Sequence, residues 1–264
     1  MVNKQQKQIA KFFGTISKQV LQLVQINFPT SHTIKNKGSA LNYATEIDLK
    51  VEELIINYIK KSFPKDNIIA EENYADQKIN NTGRFWIIDP ICGTWNLTRG
   101  IKFFSTNIAL AENGKLVAAC VIDHNKNQYI WSVGQHKIYL NSKSYVASKN
   151  LLGNIIDIDL GSLYRADKKL KNTYSNFFSK VVHSQYGLIS LNSSLSYAYV
   201  SLGLIAAYVN FSGFVWDVAA AIFLIEQAGG IVTELSGKPW TLESTNSVVA
   251  LDKKVHESLL SFIN

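Results

Sequence analysis

Cysteine is nearly absent from these 264 residues: Cys92 and Cys120 alone exclude a disulfide framework. No apolar run reaches the roughly 18 residues that a membrane-crossing helix needs. The opening stretch Met1-Val2-Asn3-Lys4-Gln5-Gln6-Lys7-Gln8 is polar and lacks a secretory apolar core, so a reducing, cytoplasmic setting is expected. A long basic run is missing too; the lysines are scattered, with short pairs at Lys60-Lys61 and Lys168-Lys169. The net charge of +7 therefore fits collection of small anionic substrates better than a nucleic-acid groove. Regular repeats and flexible linkers are also lacking, and 47% hydrophobic against 18% charged residues is a globular balance.

What is present alternates between helical and strand-like patterning. Ile9, Phe12, Phe13, Ile16, Val20, Leu21 and Val24 recur at helical spacing and predict an amphipathic helix over residues 9–28. Residues 31–42 read as a polar loop. Thr45 caps a second helix with acids in its first turn, and Pro64 closes it. Short strands are expected at 68–70 and 85–88. Three more follow at 107–112, 116–123 and 129–133, with Glu112-Asn113-Gly114-Lys115 as a hairpin turn. A strand at 155–160 and helices at 168–178, 195–204 and 217–228 complete the reading, the last ended by Gly229-Gly230. Residues 1–145 are expected to form an N-terminal lobe and residues 146–264 a C-terminal lobe, packed as one unit.

Carboxylates recur where this patterning alone does not require them. Asp48 lies in the first turn of the second helix, Glu71 and Glu72 follow a short apolar strand, and Asp89 closes the strongest strand. Asp217 opens a helix of small residues. Taken singly, each has an ordinary explanation as a helix-start acid, a solvated turn or a turn initiator before Pro90. Their order along the chain is what connects them.

The segments Ala70-Glu71-Glu72-Asn73, Trp86 through Asn96 (Trp-Ile-Ile-Asp-Pro-Ile-Cys-Gly-Thr-Trp-Asn) and Trp216-Asp217-Val218-Ala219-Ala220 resemble the motifs of the inositol monophosphatase family. Thr45-Glu46-Ile47-Asp48, the stretch from Asn107 to Gly114, and Glu226-Gln227-Ala228-Gly229-Gly230 match as well, so the likeness covers almost the whole chain. The resemblance implies an α/β fold of the layered αβαβα sandwich type. It also implies hydrolysis of a phosphomonoester by water activated at one to three Mg²⁺ ions, without a covalent phospho-enzyme. Glu71, Asp89 and the carbonyl of Ile91 would hold the first ion; Asp89, Asp217 and the residue at 92 would hold the second. Thr94, with Asp48 and Glu71, would orient the water, and the amides of Gly93 and Thr94 would face the phosphate. Homodimerisation is a further implication.

Three positions depart from the family pattern. Cys92 stands where the pattern has a second metal-binding aspartate, and sulfur suits Mn²⁺ or Zn²⁺ better than Mg²⁺. Leu191-Asn192-Ser193-Ser194 replaces a Gly-Ser/Thr-Ala-Ala segment on the substrate side. Asn210 replaces a glutamate seven residues before Asp217. Cys92, Leu191, Asn192, Ser193 and Asn210 are therefore the candidate substrate contacts, for a small phosphorylated sugar, polyol or nucleotide. An alternative is a catalytically impaired relative that binds a phosphorylated ligand or a protein partner. A cysteine nucleophile at Cys92 is disfavoured because six residues, not five, separate it from Arg99.

Overall fold

The computed structural model describes residues 3–28, 34–39, 42–75, 82–148 and 154–263. Helix α1 (Lys4–Asn27) starts from a reciprocal cap: Gln6 N–H donates to Asn3 Oδ1, and Asn3 N–H donates to Gln6 Oε1. Its stripe of Ile9, Phe12, Phe13, Ile16, Val20 and Val24 is buried, as the helical spacing predicts. The loop expected over residues 31–42 is corrected. Strand β1 (Ile34–Ser39) pairs antiparallel with β2 (Asn42–Thr45), through a register irregular between Asn36 and Ser39. The polar sequence Ile-Lys-Asn-Lys-Gly-Ser lacks the alternation that marks a half-buried strand, so it gives no strand signal. Helix α2 (Glu46–Ser62) follows directly, capped by Thr45.

Strands β3 (Asn67–Ala70) and β4 (Arg84–Cys92) pair in parallel. The one-turn helix α3 (Thr94–Thr98) follows β4. Then β5 (Ser105–Glu112), β6 (Lys115–Asp123), β7 (Gln128–Ser132), β8 (Ile138–Leu140) and β9 (Lys143–Tyr145) extend the sheet as an antiparallel meander in chain order. The β5–β6 turn has Asn113 at φ 51° and Gly114 at φ 75°, the left-handed pair that a tight hairpin requires. One face of this sheet packs on α1 and α2. At its centre Trp86 is fully buried against the rings of Phe12, Phe13 and Phe63, with centroids 4.8, 6.2 and 5.1 Å away.

The remaining chain builds a second sheet from β10 (Ile155–Ile158), helix α4 (Lys168–Val182), β11 (Gly187–Ile189), α5 (Leu195–Ser201), β12 (Ala207–Asn210), α6 (Val215–Gln227), β13 (Ile231–Thr233), β14 (Ser247–Ala250) and α7 (Lys253–Ile263). Its strand order is β11-β10-β12-β14-β13. Helices α5 and α6 lie between the two sheets, and α4 and α7 cover the outer face of the second, which gives the αβαβα layering. Helix α6 is buried without interruption from Val218 to Ile225, as befits a helix with a sheet on either side. Strands β12 and β14 were not anticipated: runs as short as Ala-Tyr-Val-Asn and Ser-Val-Val-Ala carry no periodicity that separates strand from helix. No helix among the described residues is long and apolar enough to cross a membrane.

Candidate active site

The acids meet because strand ends and helix starts from both sheets open onto one cleft of about 490 Å³. Strand β4 supplies its centre. Asp89 does not end this strand, as its position before Pro90 implied; pairing with β5 resumes at Cys92 after a shift in register. Proline donates no ladder hydrogen bond, so the strand bulges there and presents Asp89 and Cys92 toward the cleft. The Pro90 carbonyl accepts from Thr106 Oγ1 at 2.7 Å. That hydroxyl's one proton is thereby used, so His124 Nε2, 2.9 Å from the same oxygen, donates its N–H to it. Burial holds the His124 pKa down to about 3, which keeps the ring neutral in this role. Thr106 and His124 were not anticipated as supports of the bulge; their sequence shows only an ordinary strand and a lone histidine.

Gly93 follows at φ 108°, where a Cβ would come within 3.1 Å of Phe104 and Ser193. Only glycine turns the chain here without strain. Thr94 then opens α3, and its Oγ1 lies 3.1 Å from both Asp48 Oδ1 and the Ile91 carbonyl, donating to the pair. The other oxygen of Asp48 is held by the Thr45 N–H at 2.9 Å and by the Thr45 hydroxyl. Asp48 is thus both a helix-cap residue and a partner of Thr94. Burial pushes its carboxyl up to about 6, against the lowering effect of the Thr45 hydrogen bonds.

Glu71 lies just past β3, its N–H donating to the Ile88 carbonyl at 3.2 Å, and its side chain lines the cleft. Behind it, Glu52 of α2 accepts from Glu72 N–H at 2.8 Å and Asn73 Nδ2 at 2.7 Å. Glu52 is fully buried, and the sequence reading overlooked it. A charged residue four positions after Asp48, among the inward-facing Val51, Ile55 and Ile59, was the available signal.

Across the cleft, Asp217 sits in the first turn of α6 with Oδ2 accepting from Phe214 N–H at 2.8 Å. Ligand atoms of Asp89, Cys92 and Asp217 all lie within 4.8 Å of one another. Ser194 N–H donates to Cys92 Sγ at 3.3 Å, and Ser193 Oγ donates to the Cys92 carbonyl at 2.8 Å. Asn107 Nδ2 bridges Ser194 Oγ at 2.7 Å and the Asp217 carbonyl at 3.2 Å, a second support that went unanticipated. Burial, then Glu71 and Asp217, hold the Asp89 carboxyl well above its ordinary range. Burial, then Asp89 and Asp217, push the Cys92 thiol up as well. This is the reverse of an activated cysteine nucleophile. Arg99 meanwhile is engaged by Tyr43 Oη, Thr98 Oγ1 and the Trp95 carbonyl.

Of the substrate-side candidates, Asn192, Ser193 and Asn210 line the cleft together with Cys92. Leu191 is not among the lining residues; its carbonyl accepts from Asn96 Nδ2 at 2.8 Å. Asn192 has a left-handed backbone, φ 51°, and its Oδ1 lies 1.7 Å from where a Cβ on residue 161 would sit, so a side chain at Gly161 would displace the Asn192 amide. Asp159, from the end of β10, also faces the cleft and was not anticipated. Among the described residues, the lining includes Glu71, Asp89, Asp159 and Asp217 but no lysine, arginine or histidine. Asp89 Oδ1 is buried without a hydrogen-bond partner. A buried Asp89 oxygen left unsatisfied among these acids fits a divalent cation, which Glu71, Asp89, the Ile91 carbonyl and Asp217 have the right donor atoms to hold.

Comparison with known proteins agrees along the full chain. The inositol monophosphatase family profile matches residues 5–264. A fructose-1,6-bisphosphatase/inositol-1-monophosphatase of Thermotoga maritima is 26% identical over 255 residues, covering 94% of this chain and 92% of the relative. An inositol monophosphatase of Dictyostelium discoideum is 32% identical over 219 residues, covering 81% and 79%. The solved structure of a Thermotoga maritima IMPase superposes with a TM-score of 0.82 at 26% identity, covering 97% of this chain and 96% of that one.

Proposed function

The chain belongs to the inositol monophosphatase family, and from that premise we propose that it hydrolyses a small phosphorylated sugar, polyol or nucleotide with a divalent cation in the cleft. Members of this family are metal-dependent phosphomonoesterases. Glu71, Asp89 and the Ile91 carbonyl would hold one cation, Mg²⁺ by resemblance. Asp89 and Asp217 face the position of a second, beside Cys92. Such a cation supplies Lewis-acid activation of water and neutralises charge on the phosphoryl group.

The protein's own contribution is orientation. Thr94 Oγ1 spends its single proton on Asp48 and Ile91, so its lone pairs remain to accept a hydrogen bond from the attacking water. Glu71, on the same side of the cleft, is placed to take the proton that the water gives up. The Gly93 and Thr94 amides at the start of α3 receive the phosphate oxygens. Asn192, Ser193 and Asn210 contact the alcohol portion. Asn210 offers both donors and an acceptor where a carboxylate would only accept, so it tolerates a wider range of hydroxyl arrangements.

The observation that carries this reading is the convergence of Glu71, Asp89 and Asp217 from three separate elements on one cleft, with the Asp89 Oδ1 atom buried there and unsatisfied. A panel of inositol, sugar and nucleoside phosphates assayed with Mg²⁺, Mn²⁺ and Zn²⁺ tests it. Phosphate release that stops with EDTA and in Asp89→Asn is expected. A folded protein inert with every metal and ester in the panel overturns the reading in favour of ligand binding alone. Sedimentation of the same preparation tests the homodimer that the resemblance implies.

A further inference from the structure

Resting on the reading of this cleft as a phosphatase centre, we propose that Asp89, Cys92 and Asp217 form a mixed sulfur–oxygen site that selects Zn²⁺ over Mg²⁺. The three ligand atoms lie within 4.8 Å of one another, so side-chain adjustments of about 1 Å bring them to the spacing of ligands on one ion bonded at about 2.0–2.3 Å. Asp89 Oδ1, on a side chain only 1% exposed, has no hydrogen-bond partner, so the cluster contains a buried acceptor aimed at something other than protein. A buried oxygen left in this way costs about 1–3 kcal/mol unless a ligand satisfies it.

The other two ligands are already oriented. Phe214 N–H fixes Asp217 Oδ2, and Ser194 N–H points at Cys92 Sγ. Backbone N–H donation to sulfur is the outer support that stabilises a metal thiolate. Asn107 ties that support together, linking Ser194 to the Asp217 carbonyl, so β4, β5, α5 and α6 all hold the same three atoms. Cys92 is partly accessible rather than sealed, which leaves it a path to an ion arriving from the cleft.

The donor set then decides the metal. Mg²⁺ demands a near-octahedral shell of oxygen, and a sulfur in that shell is a poor donor. Zn²⁺ takes sulfur and carboxylate together in tetrahedral geometry. Three protein ligands with the fourth position open to substrate is the form its catalytic sites take. On ligation the Cys92 thiol gives its proton to solvent, so binding is accompanied by proton release. A position that reads as a damaged Mg²⁺ site becomes a site for a softer cation.

Cobalt substitution tests this without reference to turnover. Titration of the metal-free protein with Co²⁺ is expected to give a sulfur-to-cobalt charge-transfer band that saturates at one ion, survives in Cys120→Ala and is bleached by Zn²⁺. Cys92→Ser should lose the band. Cys92→Asp should lower the Zn²⁺/Mg²⁺ affinity ratio by roughly a hundredfold, mostly by tightening Mg²⁺. Thermal melts of each variant establish that the fold is retained. A Co²⁺ complex without the band, or an unchanged affinity ratio in Cys92→Asp, overturns the proposal. The band in a protein inert toward all phosphomonoesters would leave the site standing and remove the phosphatase reading. Mg²⁺-driven hydrolysis without the band would do the opposite.

Discussion

The two walls of the cleft are built differently. The wall from α2, β3 and β4 is a closed network: Thr45 holds Asp48, Asp48 holds Thr94, and Glu52 pins the turn that carries Glu71. The wall from α5, β12 and α6, faced by Cys92 at the end of β4, is looser in chemistry, with that thiol, two asparagines and serines where the family pattern has an aspartate, small residues and a glutamate. The first wall retains the groups that handle water, while the second has exchanged those that read the alcohol and complete the second ion. Reaction class and substrate preference are thus written on different elements, and they can change independently.

The largest effect tests the dependence of both walls on Asp89. Asp89→Asn should lower phosphate release by about a thousandfold or more, since one side chain serves both cation positions. The same substitution should leave the melting temperature in EDTA unchanged or higher, because it removes a buried acid that Glu71 and Asp217 already disfavour in its charged form. A large loss of stability would place Asp89 in the framework rather than in the site.

Glu52→Ala should come next. It leaves the Glu72 N–H and the Asn73 amide without their acceptor, at a cost of about 2 kcal/mol in urea denaturation. Turnover should fall roughly tenfold through misplacement of Glu71, with KM changed less than kcat. An equal fall for Asn210→Ala in kcat rather than KM would erase the division between the walls.

Behind each wall lies a buried titrating group, and their linkages have opposite sign. His124 behind the first wall is held at about 3 against an ordinary 6.5. The unfolded chain takes up its proton first, so its stabilising contribution is full above pH 6.5 and drains as pH falls toward 3. Asp157 behind the second wall is pushed up to about 7 by burial. The folded protein keeps that proton longer, so its contribution is full below about 3.8 and drains as pH rises through 7. Each slope is on the order of 1.4 kcal/mol per pH unit within its window. Between pH 4 and 6.5, relative to the unsubstituted protein, urea midpoints should rise more with pH in Asp157→Asn and should shift toward falling with pH in His124→Gln.

The smallest effect is expected from Asn210→Glu, which supplies the acceptor of the family pattern. KM for inositol phosphate should fall a few-fold with kcat nearly constant, read from initial rates. An effect on kcat instead would give Asn210 a part in the chemistry.

Much of this architecture was legible in advance because long amphipathic helices and alternating strands have strong periods. The stripe from Ile9 to Val24 and the Asn113-Gly114 turn are examples. What escaped was short or polar. Strand β1 has no alternation, and β12, which places Asn210, is only four residues long. At the site, the acids stood out through their order in the chain. Asn107, Thr106 and His124 did not, since they act through hydrogen bonds to residues far along the chain, and Glu52 left only its charge on an apolar helix face as a sign.

The most direct measurement is anomalous scattering from crystals of the protein grown with Mn²⁺ and phosphate. A peak between Glu71, Asp89 and the Ile91 carbonyl, with phosphate reaching toward Gly93 and Thr94, is the predicted result. Carboxyl groups of Glu71, Asp89 and Asp217 protonated and bonded to one another, with no peak in the cleft, would contradict it.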